Sequence, residues 1–423
     1  MIGLVYSIRR LKRGLDAFRS ADRPWQGGRP MLTSSVKSAG SRESRMMEFA
    51  LSSQWSGEPD APGAVRPDQA QSGATVPVAS AAPVEPWPPR RAAPTYAALD
   101  LGTNNCRLLI ARPSQDGFRI VDAFSRIVRL GEGLSHTGQL SEAAIRRTLG
   151  ALAVCRDKMA SRAVTRSRLI ATEACRAASN GVEFLARVEE DLGVGLEIVD
   201  RETEAHLAAA GCAALADPKA KGIVLFDIGG GSTEVVWLAG AERASAPLRE
   251  RIRNWTSLSM GVVTLAEKFG GHNVDHETFE AMVAHAMQGL ARFIDQTREQ
   301  TRCERFHLLG TSGTVTTLAG VHLGLLRYDR RRVDGLWMTQ DEIDDALTRL
   351  RTMTYDERAA NGCIGHERAD LVLAGCAILE AIRRAFPATR VRIADRGLRE
   401  GILVQMMSAD GVWRGARPRE FAP

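Results

Sequence analysis

The segments DLGTNN (residues 100–105) and DIGGGS (residues 227–232) repeat one pattern. Each follows an apolar run, TYAAL or GIVLF, and each leads into another, CRLLIA or TEVVWL. Such a succession reads as strand, glycine turn and strand. A glycine turn frees the backbone to take positive φ and removes the side chains that would hold an anion away, so consecutive N–H groups can face phosphate oxygens. An Asp at that turn repels phosphate, and a divalent cation bridging it to the phosphate oxygens gives it a role. The plainer alternative is an ordinary hairpin with Asp and Asn as turn formers. Two matching copies, with a third glycine loop in LLGTSGTVTTLAG (308–320), favour phosphate binding.

The rest of the chain sets the frame. Its 423 residues are enough for two domains with sizeable cores, and 44% hydrophobic with 25% charged residues is an ordinary globular composition. Seven cysteines (106, 155, 175, 212, 303, 363 and 376) are scattered with no C-x-x-C pair, so neither a disulfide framework nor a zinc or iron–sulfur site is signalled. The opening MIGLVYSIRRLKRG has too short an apolar stretch for a signal peptide, and nowhere do eighteen apolar residues run together. The expectation is a cytoplasmic protein with no membrane span.

A pI near 9.1 invites a nucleic-acid reading. The basicity sits at one end: residues 1–95 carry 13 Lys and Arg against 8 Asp and Glu, and the remainder 43 against 42. That end is rich in Pro, Ser, Ala and Gly without a sustained apolar period, the composition of a disordered extension. Nucleic acid is therefore disfavoured as a partner.

From Tyr96 the texture becomes α/β. Beyond the first hairpin a helix opens at Ser141, and SRLIATEACRAASNG and GLEIVDRETEAHLAAAGCAAL each read as a strand running into a helix. After the second hairpin come a long helix from about His276 to Glu299, the strand RFHLLG and a helix after TSGT. Helices over about Thr339–Arg351 and Arg368–Phe386 and a closing strand and helix, RVRIADRGLREGILVQMM, follow. The repeated hairpin suggests two domains of similar plan. Rival glycine signatures fail: there is no G-x-x-x-x-G-K-[ST], and Glu234 takes the place of the third glycine of a dinucleotide fingerprint. HNVDH (272–276) is not H-E-x-x-H, and no His-Asp doublet occurs.

ALDLGTNNCRLLIA, ATEACRAA, ETEAHLAAAG, FDIGGGSTEVVW, LSMGVVTLAE, LLGTSGTVTTLAG, ERADLVLAGCAILE and GLREGIL stand in the order seen in exopolyphosphatases and guanosine pentaphosphate phosphohydrolases. The chain resembles that family from about Tyr96 to Met407, in its short two-domain form. The resemblance implies two ribonuclease-H-like domains of the actin, Hsp70 and sugar-kinase superfold flanking a cleft. Their expected bounds are 96–221, completed by a C-terminal helix at about 397–408, and 222–396, with a tail at 409–423. It also implies hydrolysis of a terminal phosphoanhydride with Mg²⁺, on inorganic polyphosphate or guanosine pentaphosphate (pppGpp), and leaves a homodimer open.

Residue by residue, the resemblance makes Glu204 the base that activates water, and places Asp100, Asp227 and Glu234 around the metal. It gives Arg176 to the substrate. The phosphate-gripping turns are Gly102, Thr103 and Asn104; Gly229, Gly230, Gly231 and Ser232; and Gly310, Thr311, Ser312 and Gly313. Glu173 and Glu204 both fall near helix starts, where the helix dipole alone favours acids. One departure stands out: Asp200-Arg201 occupies the place of the family's usual Ser-Gly. A kinase of the same superfold and a non-catalytic sensor of guanosine tetra- or pentaphosphate are the competing readings. No specific sign of a nucleotide pocket or hydroxyl-activating base speaks for the kinase, and the retained acids speak against the sensor.

Overall fold

The hairpins are the centres of two sheets. In the computed structural model, the described residues are 93–115, 117–240, 243, 246–302 and 305–413, and they form one compact unit. The expected N-terminal extension, through residue 92, and the tail from 414 lie outside the described residues.

In the first half, β1 (Tyr96–Leu101), β2 (Asn105–Ser114) and β3 (Gly117–Ile127) form an antiparallel meander. Helix α1 (Glu142–Ser161) starts on Ser141, whose hydroxyl accepts from Ala144 N. Then follow β4 (Arg166–Ala171), α2 (Glu173–Ala177), α3 (Gly181–Leu192), β5 (Glu197–Ile198) and α4 (Arg201–Cys212). The second half opens with β6 (Gly222–Ile228), β7 (Thr233–Ala239) and β8 (Ile252–Leu258), then α5 (Val262–Phe269), α6 (His276–Thr301) and β9 (Phe306–Thr311). It closes with α7 (Gly313–His322), β10 (Trp337–Thr339), α8 (Gln340–Thr352), α9 (Val372–Ala385), β11 (Arg390–Ala394) and α10 (Leu398–Ala409).

The first sheet has the order β3-β2-β1-β4-β5 and the second β8-β7-β6-β9-β11-β10. Their first five places match in direction too: two antiparallel pairings, then two parallel ones. The central strands are apolar on both faces, as a strand covered on both sides demands; Tyr96–Leu99 and Gly222–Phe226 are all buried. Helices α1 and α3 cover the outer face of the first sheet through Ile145, Leu152, Phe184 and Val188. Helices α6, α7, α8 and α9 cover that of the second.

Two helices, α4 and α10, lie between the sheets. Helix α4 gives Leu207 to the core of β1, β2 and β4, and gives Ala205, Ala209 and Cys212 to the core of β6, β7 and β9. Helix α10 turns Ile402, Leu403, Met406 and Met407 to the first sheet. Their close crossing depends on glycine: a methyl group at Gly211 would overlap Gly397 O, and one at Gly401 would overlap Leu207 O. The six described cysteines are free and buried. Among the described residues no helix is long and apolar enough to cross a membrane.

The turns of the two hairpins are closed by the same bond: Gly102 N to Asn105 O and Gly229 N to Ser232 O, each 2.9 Å. One of the expected reasons for their glycines, positive φ, does not hold. None of Gly102, Gly229, Gly230 and Gly231 has positive φ. What glycine supplies is close approach of the two turns: a Cβ on Gly230 would sit 3.0 Å from Asn104 N, and one on Gly231 would sit 2.5 Å from Thr103 Oγ1. The duplicated turns are packed on one another.

Candidate active site

The strand register sets two acids at equivalent places. Asp100 on β1 stands opposite Arg107 on β2, and Asp227 on β6 stands opposite Glu234 on β7. All four side chains line one pocket, together with Glu204 from the first turn of α4. Both turns line it too, through Gly102, Thr103, Asn104 and Gly229 to Ser232. The N–H groups of Thr103, Asn104, Gly230 and Gly231 bond no backbone carbonyl among the described residues.

Burial governs the acids. It raises Asp100 above the usual carboxylate range, against the pull of Arg107. It pushes Asp227 up to about 6, with the charge of Asp100 adding to the effect. Glu234 is raised well above its ordinary value by burial and by the neighbouring Glu204 and Asp227, while Ser257, donating to it at 2.7 Å, pulls the other way. Glu204 is pushed up to about 7 by burial, opposed by Arg176. A group of carboxyls that raise one another is a site that favours an added cation.

Glu204 is held by its surroundings. Asp200 caps α4, accepting from Thr203 N at 2.7 Å, so that Glu204 falls in the first turn near the helix's positive end. Arg176 Nη2 donates to Glu204 Oε2 at 3.1 Å and to Glu173 Oε2 at 2.5 Å, and Nη1 donates to Val199 O at 2.6 Å. Arg201 Nη2 donates to Glu173 Oε1 at 2.8 Å. Asp200 and Arg201 therefore supply a helix cap and a second cation for Glu173. Arg176 itself does not line the pocket but reaches it through Glu204.

The third loop is divided. Ser312 and Gly313 line the pocket; Gly310 and Thr311 do not. Gly310 leaves room for the Phe226 ring, and Thr311 donates its hydroxyl to Arg396 O at 2.7 Å. Ser312 is the strained residue, with φ +89° in a region that side chains avoid. Its hydroxyl donates to Ile228 O at 2.6 Å, tying the start of α7 to the second hairpin. The start of α7 thus lines the pocket through Gly313 and Thr314, and the first N–H groups of a helix have no partner within it and suit an anion.

Two arginines that the sequence did not single out complete the site. Arg107 on β2 and Arg368, in the short 3₁₀ turn His366–Arg368, both line the pocket, and neither has a carboxylate partner among the described residues. Burial lowers Arg368, and the charge of Arg107 lowers it further. Two guanidiniums that repel one another without an acid between them suit an anion. An arginine inside a strand, or just before a helix, carries no local signal of this.

The donor set suits a hard divalent ion. Among the described residues no three of His, Cys, Asp and Glu are gathered closely enough to hold a metal by themselves. Mg²⁺ asks for less, taking one or two carboxylates and completing its shell with phosphate oxygens and water. Asn104 and Asn105 add buried amide oxygens with no hydrogen-bond partner.

Two sheets of one plan, each giving a hairpin turn and an acid to a shared pocket, define the class: an α/β protein with an acid-lined site closed by paired glycine turns. Residues 109–410 match the Ppx/GppA phosphatase family, and the chain belongs to it. It is similar to the solved family member from Aquifex aeolicus, with 28% identity, a TM-score of 0.59 and coverage of 75% of this chain and 98% of the other. It is similar also to an exopolyphosphatase-like protein, with 26% identity, a TM-score of 0.66 and coverage of 74% and 99%. An exopolyphosphatase from Cytophaga hutchinsonii, 23% identical over 76% and 99% of the chains at a TM-score of 0.66, shares the fold.

Proposed function

We propose that the chain is an exopolyphosphatase that removes the terminal phosphate of inorganic polyphosphate. The observation that carries this reading is Glu204: a buried carboxylate beside the meeting point of two glycine turns, raised to about 7, where a base both holds its charge and takes a proton at neutral pH. Glu204 accepts a proton from water, the water oxygen bonds the terminal phosphorus, and the anhydride P–O pair leaves with the shortened chain. Arg107 and Arg368 offset the negative charge of the phosphoryl oxygens, and the turn N–H groups orient them. Mg²⁺ held by Asp100, Asp227 and Glu234 would supply further charge neutralisation. The matching strand orders support two ribonuclease-H-like domains flanking a cleft, and the packing of α10 on the first sheet supports its assignment to the first domain. A cytoplasmic location and a homodimer belong to the same reading.

A second substrate has its own support. Val262, Ile364, Leu371, Val372 and Leu398 give the pocket an apolar wall, which inorganic polyphosphate does not use and a nucleoside does. The alternative is therefore 5′-phosphate removal from guanosine pentaphosphate. The test is orthophosphate release from both substrates, side by side, with and without Mg²⁺. Mg²⁺-dependent release from polyphosphate is expected; release from guanosine pentaphosphate alone would move the assignment to the second substrate, and release from neither would refute hydrolysis.

A further inference from the structure

Four side chains of alternating charge run from the surface to the base of the pocket: Arg201, Glu173, Arg176 and Glu204. Arg201 is half exposed, and its Nη2 donates to Glu173 Oε1 and to Ser259 Oγ, both at 2.8 Å. Ser259 lies just past β8, so Arg201 joins the start of α4 to the second sheet. The Glu173 side chain is only 9% exposed, and its Oε2 accepts from Arg176 Nε at 3.0 Å and Nη2 at 2.5 Å. Arg176 has one further link inward, from Nη2 to Glu204 at 3.1 Å.

Counting charges shows what Arg201 does. Two cations meet two acids: Arg201 takes Glu173 Oε1, and Arg176 Nη2 is shared between Glu173 Oε2 and Glu204 Oε2. Without Arg201 a buried carboxylate oxygen would lose its cation, a costly state that drawing Arg176 onto Glu173 and off Glu204 would relieve. An ordinary surface ion pair contributes little, but this one has a buried acid at its inner end. We propose that Arg201 is a positioning residue for hydrolysis: by occupying Glu173 Oε1 it keeps Arg176 turned toward Glu204, fixing guanidinium and base in one arrangement. This rests on Glu204 being the base.

The test compares kcat, KM and melting temperature of the full chain for Arg201→Ala, Arg201→Lys, Glu173→Gln, the double variant Arg201→Ala/Glu173→Gln and Glu204→Gln, on short-chain polyphosphate and guanosine pentaphosphate with Mg²⁺. Arg201→Ala is expected to lower kcat about tenfold, in the middle of the range for coupled contacting charges, with KM within about twofold of the parent. Arg201→Lys should recover part of the loss. The double variant should turn over faster than Arg201→Ala, because removing the charge of Glu173 removes the competitor for Arg176. A merely structural role would instead lower the melting temperature and give additive losses, and that result overturns the proposal. If Arg201→Ala does not fold, Arg201→Gln, which keeps a donor to Ser259 without the charge, is read in the same way. An inactive Glu204→Gln beside a parent-like Arg201→Ala refutes the positioning role alone; a fully active Glu204→Gln refutes the base as well.

Discussion

At the scale of residues, the site is an arrangement of acids that should not be together unless something cationic joins them. The register makes the point: where the second sheet sets Glu234 opposite Asp227, the first sets Arg107 opposite Asp100. The two halves repeat the turn but not the charge, so one hairpin presents a cation and the other a second acid. Asp100 and Asp227 could be read as candidates because each stands at a glycine turn, whereas Glu204 and Glu234 were named only through the family resemblance. Arg107 and Arg368 could not be read, since their meaning depends on lining the pocket without a carboxylate in ion-pair contact, a fact of tertiary structure. The base supplies a direct expectation. Burial pushes Glu204 up to about 7, and a base at that value acts only when deprotonated, so under the proposed mechanism turnover should rise with pH, about tenfold per unit below that value, and level off above it. A pH–rate profile of kcat on polyphosphate checks this; a flat profile between pH 5.5 and 8 would show that another group takes the proton.

At the scale of elements, the reading of the hairpins as strand, glycine turn and strand was correct, and one of its two physical reasons, positive φ, was not. Positive φ was expected at the turns; the structure puts it elsewhere and uses the glycines for close packing of one turn on the other. Helix starts with side-chain caps were easy to place, as at Ser141, Asp275 and Thr339, because the capping residue is local. The start of α9 was not: the expected helix from Arg368 begins at Val372, and Arg368 lies in a 3₁₀ turn at the pocket. The crossing of α4 and α10 was also invisible, since Gly211 and Gly401 look like weak helix residues until the partner backbone is seen. That crossing can be tested. Gly211→Ala and Gly401→Ala should each destabilise the chain by about 1–3 kcal/mol through overpacking, although alanine is the better helix former. Denaturant unfolding measures it, and a stabilised variant would mean the helices are free to separate.

At the scale of the molecule, stability and function oppose each other in the pocket. Asp227 and Glu204 have folded-state values, about 6 and about 7, above those of the unfolded chain, so the folded state binds more protons between pH 4 and 7. Stability is then greatest on the acid side of this window and is lost as pH rises through it, on the order of 3 kcal/mol for a single shift of this size. Thermal unfolding in chelator should show a lower melting temperature at pH 8 than at pH 5.5, with Mg²⁺ restoring it at pH 8 and doing little at pH 5.5. An unchanged melting temperature would mean the acids are already compensated within the protein. Such a cost is tolerable if the same acids do chemistry, which is the central claim. Its most direct test is single-turnover orthophosphate release by Glu204→Gln, with substrate affinity measured in parallel. The account predicts release slowed by about 10²–10⁴-fold, the usual loss for a general base, with affinity kept; release at the parent rate would contradict it.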